Sequence, residues 1–264
     1  MSVKIREFPG IQEKHGVHCV AFSPAEPVDP PILLLHEALG SVGIWKNFPA
    51  ELATATGRTV IVYDRLGHGK SRPIPGKRSL DYLNTYTDFV PVLLKELSAS
   101  MEVSKPIVFG HSDGATIALL AGVREYDFSA IIVEAPHSEV DDQTRRGVTA
   151  ARAKSFRQPL CEKLYKYHGP EKTEWLYDGW VDIWLHPDFR GCCMLDSLHK
   201  IKVPLLAIQG AEDEYGLPTQ LEHLKNNCSG VVETHLLADC RHNPHVEKKA
   251  EVLRITAEFI KKHV

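Results

Sequence analysis

The sequence predicts an α/β protein, with a mostly parallel sheet covered by helices on both faces. Two observations carry that reading. Short continuous apolar runs recur along the chain, among them Ile32-Leu33-Leu34-Leu35, Ala130-Ile131-Ile132-Val133 and Leu205-Leu206-Ala207-Ile208; such runs mark strands buried on both sides. Segments with helical spacing stand between them, and regular alternation of the two element types builds parallel sheets. A length of 264 residues, 43% hydrophobic and 25% charged, suits one large domain with room for a modest insertion.

Residues 3–8 and 17–22 read as opening strands, with Gly10 and Gly16 marking turns between them. After the run that ends at His36, Ser41 is placed to cap a helix over residues 42–55, carrying Trp45 and Phe48 and stopping at Gly57. Residues 59–63 form a strand that enters the glycine-rich turn Asp64-Arg65-Leu66-Gly67-His68-Gly69-Lys70-Ser71. Its end echoes a phosphate-cradling loop, Gly-x-x-x-x-Gly-Lys. The first glycine of that pattern would fall at Asp64, whose charge repels phosphate, which argues against nucleotide binding. Residues 80–98 read as a helix broken or kinked at Pro91.

Residues 106–120 are the most informative stretch. An apolar run leads into Gly110-His111-Ser112-Asp113-Gly114, followed at once by an alanine-rich buried helix. Strand, sharp turn and helix around Gly-x-Ser-x-Gly are the setting of an exposed nucleophile, and Ser112 is that candidate. A side chain at Gly110 or Gly114 would crowd the strand against the helix leaving it. The helix start also offers free N–H groups to developing negative charge.

Residues 130–134 form another strand. From 138 to 201 the strand–helix rhythm breaks into a charged, aromatic stretch that reads as a helical insertion, and insertions of this length in compact domains are usually lids or binding elements. Most of its aromatics read as packing against the core. The rhythm resumes with a strand at 204–209, a helix at 218–227 and a strand at 231–237. A last helix over 246–262 sets Val246, Ala250, Leu253, Ala257 and Ile260 on one face. The expected division is a core of residues 1–137 and 202–264 with a lid at 138–201.

Serine is a poor nucleophile at neutral pH and needs a base that is itself oriented. The last two strands end in loops that offer both. One carries Glu212, Asp213 and Glu214; the other carries His242 and His245. Strand carboxyl ends are where sites gather in open α/β sheets, and the order Ser, acid, His runs along the chain. His242 and His245 could pair on a metal, but the sequence shows no third ligand. His111 reads as packing beside the elbow and His137 as a satisfied loop histidine.

These motifs resemble the α/β-hydrolase superfamily over essentially the whole chain. His36 to Ser41 is similar to its His-Gly oxyanion loop, Asp64 to Ser71 to its Asp-x-x-Gly-x-Gly-x-Ser turn, Gly110 to Gly114 to its elbow, and Gly210 to Asp213 to its acid turn. The resemblance implies an α/β-hydrolase fold with a helical lid, Asp213 as orienting acid, His242 as base, and the backbone N–H groups of Ala38 and Asp113 as oxyanion hole. It implies hydrolysis of small carboxylic esters through an acyl-enzyme, with no cofactor or metal. Two positions depart from the family: Glu37 and Ala115 stand where it usually has glycine. Glu37 predicts ordinary backbone angles in the oxyanion loop and a carboxylate at the pocket.

Ser112-Asp113-Gly114 further resembles the biphenyl-hydrolase-like proteins, valacyclovir hydrolase among them, which implies that Asp113 holds a substrate α-ammonium. Capping of the elbow helix, or pairing with an arginine or lysine of the lid, is the competing role. Glu37 and Glu134 predict an acidic mouth, and Trp180 and Trp184 complete the candidate substrate-binding set. A carbon–carbon bond hydrolase of ring-cleavage products and a non-catalytic receptor that keeps the triad are the alternatives; epoxide hydrolysis and dehalogenation would need an acid at Ser112.

The remaining composition narrows the partners. A net charge of -3 gives no basic field for nucleic acid. No apolar segment reaches membrane-spanning length, and residues 1–10 carry charges where a signal peptide needs an apolar core. Cys19, Cys161, Cys192, Cys193, Cys228 and Cys240 lack paired spacing, so reduced thiols and a cytoplasmic setting are expected. A small-molecule substrate is the expected partner.

Overall fold

The computed structural model describes residues 3–191 and 194–264; Cys192 and Cys193 lie outside them. In chain order the elements are β1 (Lys4–Glu7), α1 (Pro9–His15), β2 (Cys19–Ser23), β3 (Ile32–Leu35), α2 (Phe48–Thr56), β4 (Val60–Tyr63) and α3 (Tyr82–Ser98). β5 (Ile107–His111), α4 (Asp113–Val123) and β6 (Ala130–Glu134) follow. Then come α5 (Asp142–Ala151), α6 (Lys154–His168) and α7 (Pro170–Trp184), with two 3-10 turns after them. β7 (Leu205–Gly210), α8 (Thr219–Asn227), β8 (Val232–Leu237), the single turn α9 (Pro244–Glu247) and α10 (Lys249–His263) close the chain.

The strands form one sheet in the order β1-β2-β4-β3-β5-β6-β7-β8. β2 pairs antiparallel with both neighbours, and every other pairing is parallel. Side-chain alternation splits the apolar runs between the two faces. Leu33, Leu35, Val108, Ile131, Val133 and Leu205 point to the side of α3 and α4. Ile32, Leu34, Phe109, Ile132, Leu206 and Ile208 meet α2 and α10 on the other. Both faces are dry, which is why these strands carry no polar alternation.

Several boundaries differ from expectation for local reasons. α1 occupies the stretch read as a turn, because Pro9 suits the first helical position and Gly16, at φ 72°, closes the end. α2 begins at Phe48 rather than at residue 42: Lys46 holds φ 52° and Pro49 fits only a first turn. α3 runs unbroken through Pro91, whose ring lies on the exposed side and displaces no packed neighbour. The last helix buries Val252, Ile255, Thr256, Phe259 and Ile260, while Val246 and Ala250 face solvent. Within α10 the buried face falls beside the expected stripe, which shares Ile260 with it and meets its edge at the partly buried Leu253.

Candidate active site

Ser112 stands between β5 and α4 with φ 53° and ψ -115°, a conformation that costs a non-glycine residue of order 1–3 kcal/mol. The reversal is tight. A Cβ on Gly110 would lie 2.2 Å from the Gly114 carbonyl oxygen, and one on Gly114 would lie 2.0 Å from that of Leu35. Ser112 Oγ is 3.0 Å from His242 Nε2, and His242 Nδ1 is 2.8 Å from Asp213 Oδ1. Asp213 also accepts the Tyr215 N–H at 2.8 Å. Of the rival acids, Glu212 is exposed and Glu214 pairs with Arg241 at 3.0 Å. His245 turns away from Ser112, its Nδ1 lying 2.7 Å from Glu134 Oε2.

Charge in this relay is set by burial against pairing. Burial alone would raise the Asp213 carboxyl, but His242 and the Tyr215 N–H outweigh it and hold it at about 2. Burial likewise opposes the His242 cation, and Asp213 reverses the balance, raising His242 above the ordinary imidazole value. Behind the relay burial wins. Glu134 is pushed up to about 8 and His245 down to about 3, so that pair shares a proton without carrying separated charges. His111, lowered to about 3, places Nε2 2.8 Å from the His242 carbonyl oxygen and so braces the base from below.

His111, Glu134 and His245 bring potential ligand atoms within 4.8 Å of one another. His245 therefore gathers the companions that spacing along the chain did not show, although its Nδ1 is engaged with Glu134.

The loop after β3 is oriented by its carbonyls. The Glu37 carbonyl oxygen accepts from Arg65 Nη2 at 2.8 Å and lies 2.8 Å from His36 Nδ1, and His36 Nε2 accepts the Arg65 N–H at 3.1 Å. In a trans peptide the N–H points opposite to the C=O. Pinning that carbonyl inward therefore turns the Ala38 N–H outward, toward the cavity that Ala38 lines with Ser112. Asp113 opens α4, so its N–H has no intrahelical acceptor. Neither Glu37 nor Ala38 has a positive φ. The Glu37 carboxylate accepts the Leu39 N–H, and burial raises its pKa.

The Asp113 carboxylate does not face the cavity. It is fully buried, accepts the Tyr82 hydroxyl at 2.9 Å, and lies 3.5 Å from Arg78 Nη2 and 3.7 Å from Arg65 Nη2. A buried carboxylate demands a cation, and the chain supplies two from the stretch between β4 and α3, neither of them in the lid. Trp184 reaches the same cluster by donating its Nε1–H to the Tyr82 hydroxyl at 2.9 Å. Arg65, Arg78 and Tyr82 carry no sequence signal of their own; only the fold brings them to Asp113.

Ser112 and His242 open on a cavity of about 470 Å³, lined also by Ala38, Glu37, Trp180 and Trp184. α5 roofs it with Val148, α6 with Leu160 and Leu164, and α7 with the two tryptophans, and His137 lines it beside His242. Glu134 is not among the lining residues, and Lys46, Lys163 and Lys166 are, so the expected acidic mouth does not form. His168 ties α6 to the core, accepting the Gly69 N–H at 2.8 Å on Nδ1, with Nε2 2.9 Å from the Leu39 carbonyl oxygen.

A family model described as the alpha/beta hydrolase family matches residues 32–255. The chain belongs to the alpha/beta hydrolase family. No curated protein matches this hydrolase by sequence. Solved structures share its fold. The enol-lactonase of Burkholderia xenovorans superposes with a TM-score of 0.71 at 17% identity, covering 93% of this chain and 96% of that one. The monoacylglycerol lipase of Paleococcus ferrophilus gives 0.64 at 17% identity, with 100% of each chain covered. A serine hydrolase involved in carbazole degradation gives 0.69 at 17% identity, over 98% of this hydrolase and 99% of that chain.

Proposed function

We propose that this hydrolase cleaves small carboxylic esters by two-step acyl transfer, with Ser112 as nucleophile, His242 as base and Asp213 as orienting acid. The relay from Asp213 through His242 to Ser112, opening on a mainly apolar cavity, carries the proposal. His242 takes the Ser112 proton as Oγ bonds to the ester carbonyl carbon, and the N–H groups of Ala38 and Asp113 receive the oxyanion. The tetrahedral adduct expels the alcohol, which leaves with the proton from His242. Water then repeats the sequence and frees the acid. Each oxyanion donor is worth roughly 2.7–4 kcal/mol in such a transition state. The helices α5 to α7 act as a lid whose apolar side chains cover the acyl group bound over Ser112.

Asp113 contributes its N–H and not its carboxylate, so selection of an α-ammonium does not follow from this site. Turnover of a short para-nitrophenyl ester tests the reading. Hydrolysis that falls roughly ten-thousand-fold or more in Ser112→Ala supports it, and folded wild-type protein inert toward a series of esters contradicts it.

A further inference from the structure

We propose that the pocket selects esters whose apolar body ends in an anionic group, bound by the ammonium groups of Lys46, Lys163 and Lys166. The inference rests on the hydrolase reading above, because it concerns the same cavity.

Phe156, Leu160, Lys163, Leu164 and Tyr167 all line the cavity from α6. Their spacing places them on one face of the helix. Lys163, itself exposed, interrupts that otherwise apolar stripe near its middle. Long cationic side chains lay their stems along apolar surface and carry the charge to the wet end. Lys166 stands three residues further along, its Nζ 4.8 Å from the centre of the Tyr167 ring. Lys46 enters from the oxyanion side and lines the same cavity. Its backbone is left-handed at φ 52°, a conformation glycine would adopt without strain, yet the position carries a long cation.

The charge balance decides what fits. Among the described residues no salt bridge reaches Lys46, Lys163 or Lys166. The acids on the lining are engaged elsewhere: Glu37 accepts the Leu39 N–H, and Glu214 pairs with Arg241. Three cations thus line an apolar cavity without an ion pair to its two acids, and an excess of one sign at a low-dielectric cleft concentrates the opposite sign. A cationic ester is repelled, a neutral one leaves the ammonium groups unpaired, and an anionic one completes charge-assisted hydrogen bonds.

The test compares para-nitrophenyl hexanoate with the para-nitrophenyl monoester of hexanedioic acid, which carries a carboxylate in place of the terminal methyl group of the same six-carbon chain. In solution at low ionic strength the charged ester is expected to show about tenfold higher kcat/KM, through a lower KM. Added salt should shrink the ratio. Lys163→Met should reduce it, Lys163→Arg should keep it, and the combined Lys46→Ala, Lys163→Met, Lys166→Ala variant should bring it near unity; unchanged melting temperatures verify folding. Equal rates for both esters in wild type overturn the anion proposal while leaving the hydrolase intact. A preference seen only on anionic lipid vesicles assigns the lysines to surface docking and also overturns it. No turnover of either ester overturns the hydrolase reading, and this inference with it.

Discussion

At the scale of single residues, this site is a contest between desolvation and pairing, and the winner differs from group to group. Asp213 and His242 are close enough for pairing to win, so the imidazolium is stabilised. As the proposed base His242 would act only when neutral, and its pKa is raised. Activity should therefore be absent at low pH and appear as pH rises through a midpoint above about 6.5, the ordinary value. A pH profile of kcat/KM checks this, and Asp213→Asn should move the midpoint down while cutting the rate by roughly ten-thousand-fold. Glu134 is the opposite case, a carboxyl raised to about 8 by burial. The folded state then holds a proton that the unfolded chain releases near 4.5, its usual value. Stability from this group is full below that pH and is lost as pH rises toward 8. Melting curves should show wild type losing stability over that window relative to Glu134→Gln; parallel curves would contradict a protonated Glu134.

Among the elements, those legible in the sequence were the ones whose cause is local. β3, β5, β6 and β7 are continuous apolar runs, and the β5–Ser112–α4 turn is announced by two glycines that close approach requires. Gly114→Ala puts a methyl group against the Leu35 carbonyl; a loss of more than about 2 kcal/mol, read from denaturant unfolding, is expected. The aromatic stretch between β6 and β7 reads as an insertion, but does not say which of its aromatics matter. Trp184 is a strut: its indole N–H meets the Tyr82 hydroxyl that holds Asp113. Trp184→Phe keeps the ring and removes that hydrogen bond, so a stability loss of about 1 kcal/mol with a larger change in KM than in kcat is expected from melting and steady-state kinetics. What stayed hidden depends on long-range approach. The Asp113 carboxylate reads as a substrate anchor until Arg65 and Arg78 are seen beside it. The cationic mouth combines Lys46 with Lys163 and Lys166 across more than a hundred residues of sequence.

For the whole molecule, one sheet explains why distant segments form one centre. β5, β7 and β8 run parallel and end on the same side. The loops after them deliver Ser112, Asp213 and His242 to one point, as open α/β sheets do at strand carboxyl ends. The helices between β6 and β7 close over that point and are tied down by His168, so a mainly apolar cavity and the relay meet where the loop after β3 arrives. No helix among the described residues is long and apolar enough to cross a membrane. The most direct measurement is mass spectrometry after treatment with a fluorophosphonate, which phosphonylates activated serines. One adduct per chain on Ser112, absent in Ser112→Ala and strongly slowed in His242→Ala, is the predicted result. Folded protein that remains unlabelled, or that is labelled at another residue, would contradict Ser112 as the nucleophile.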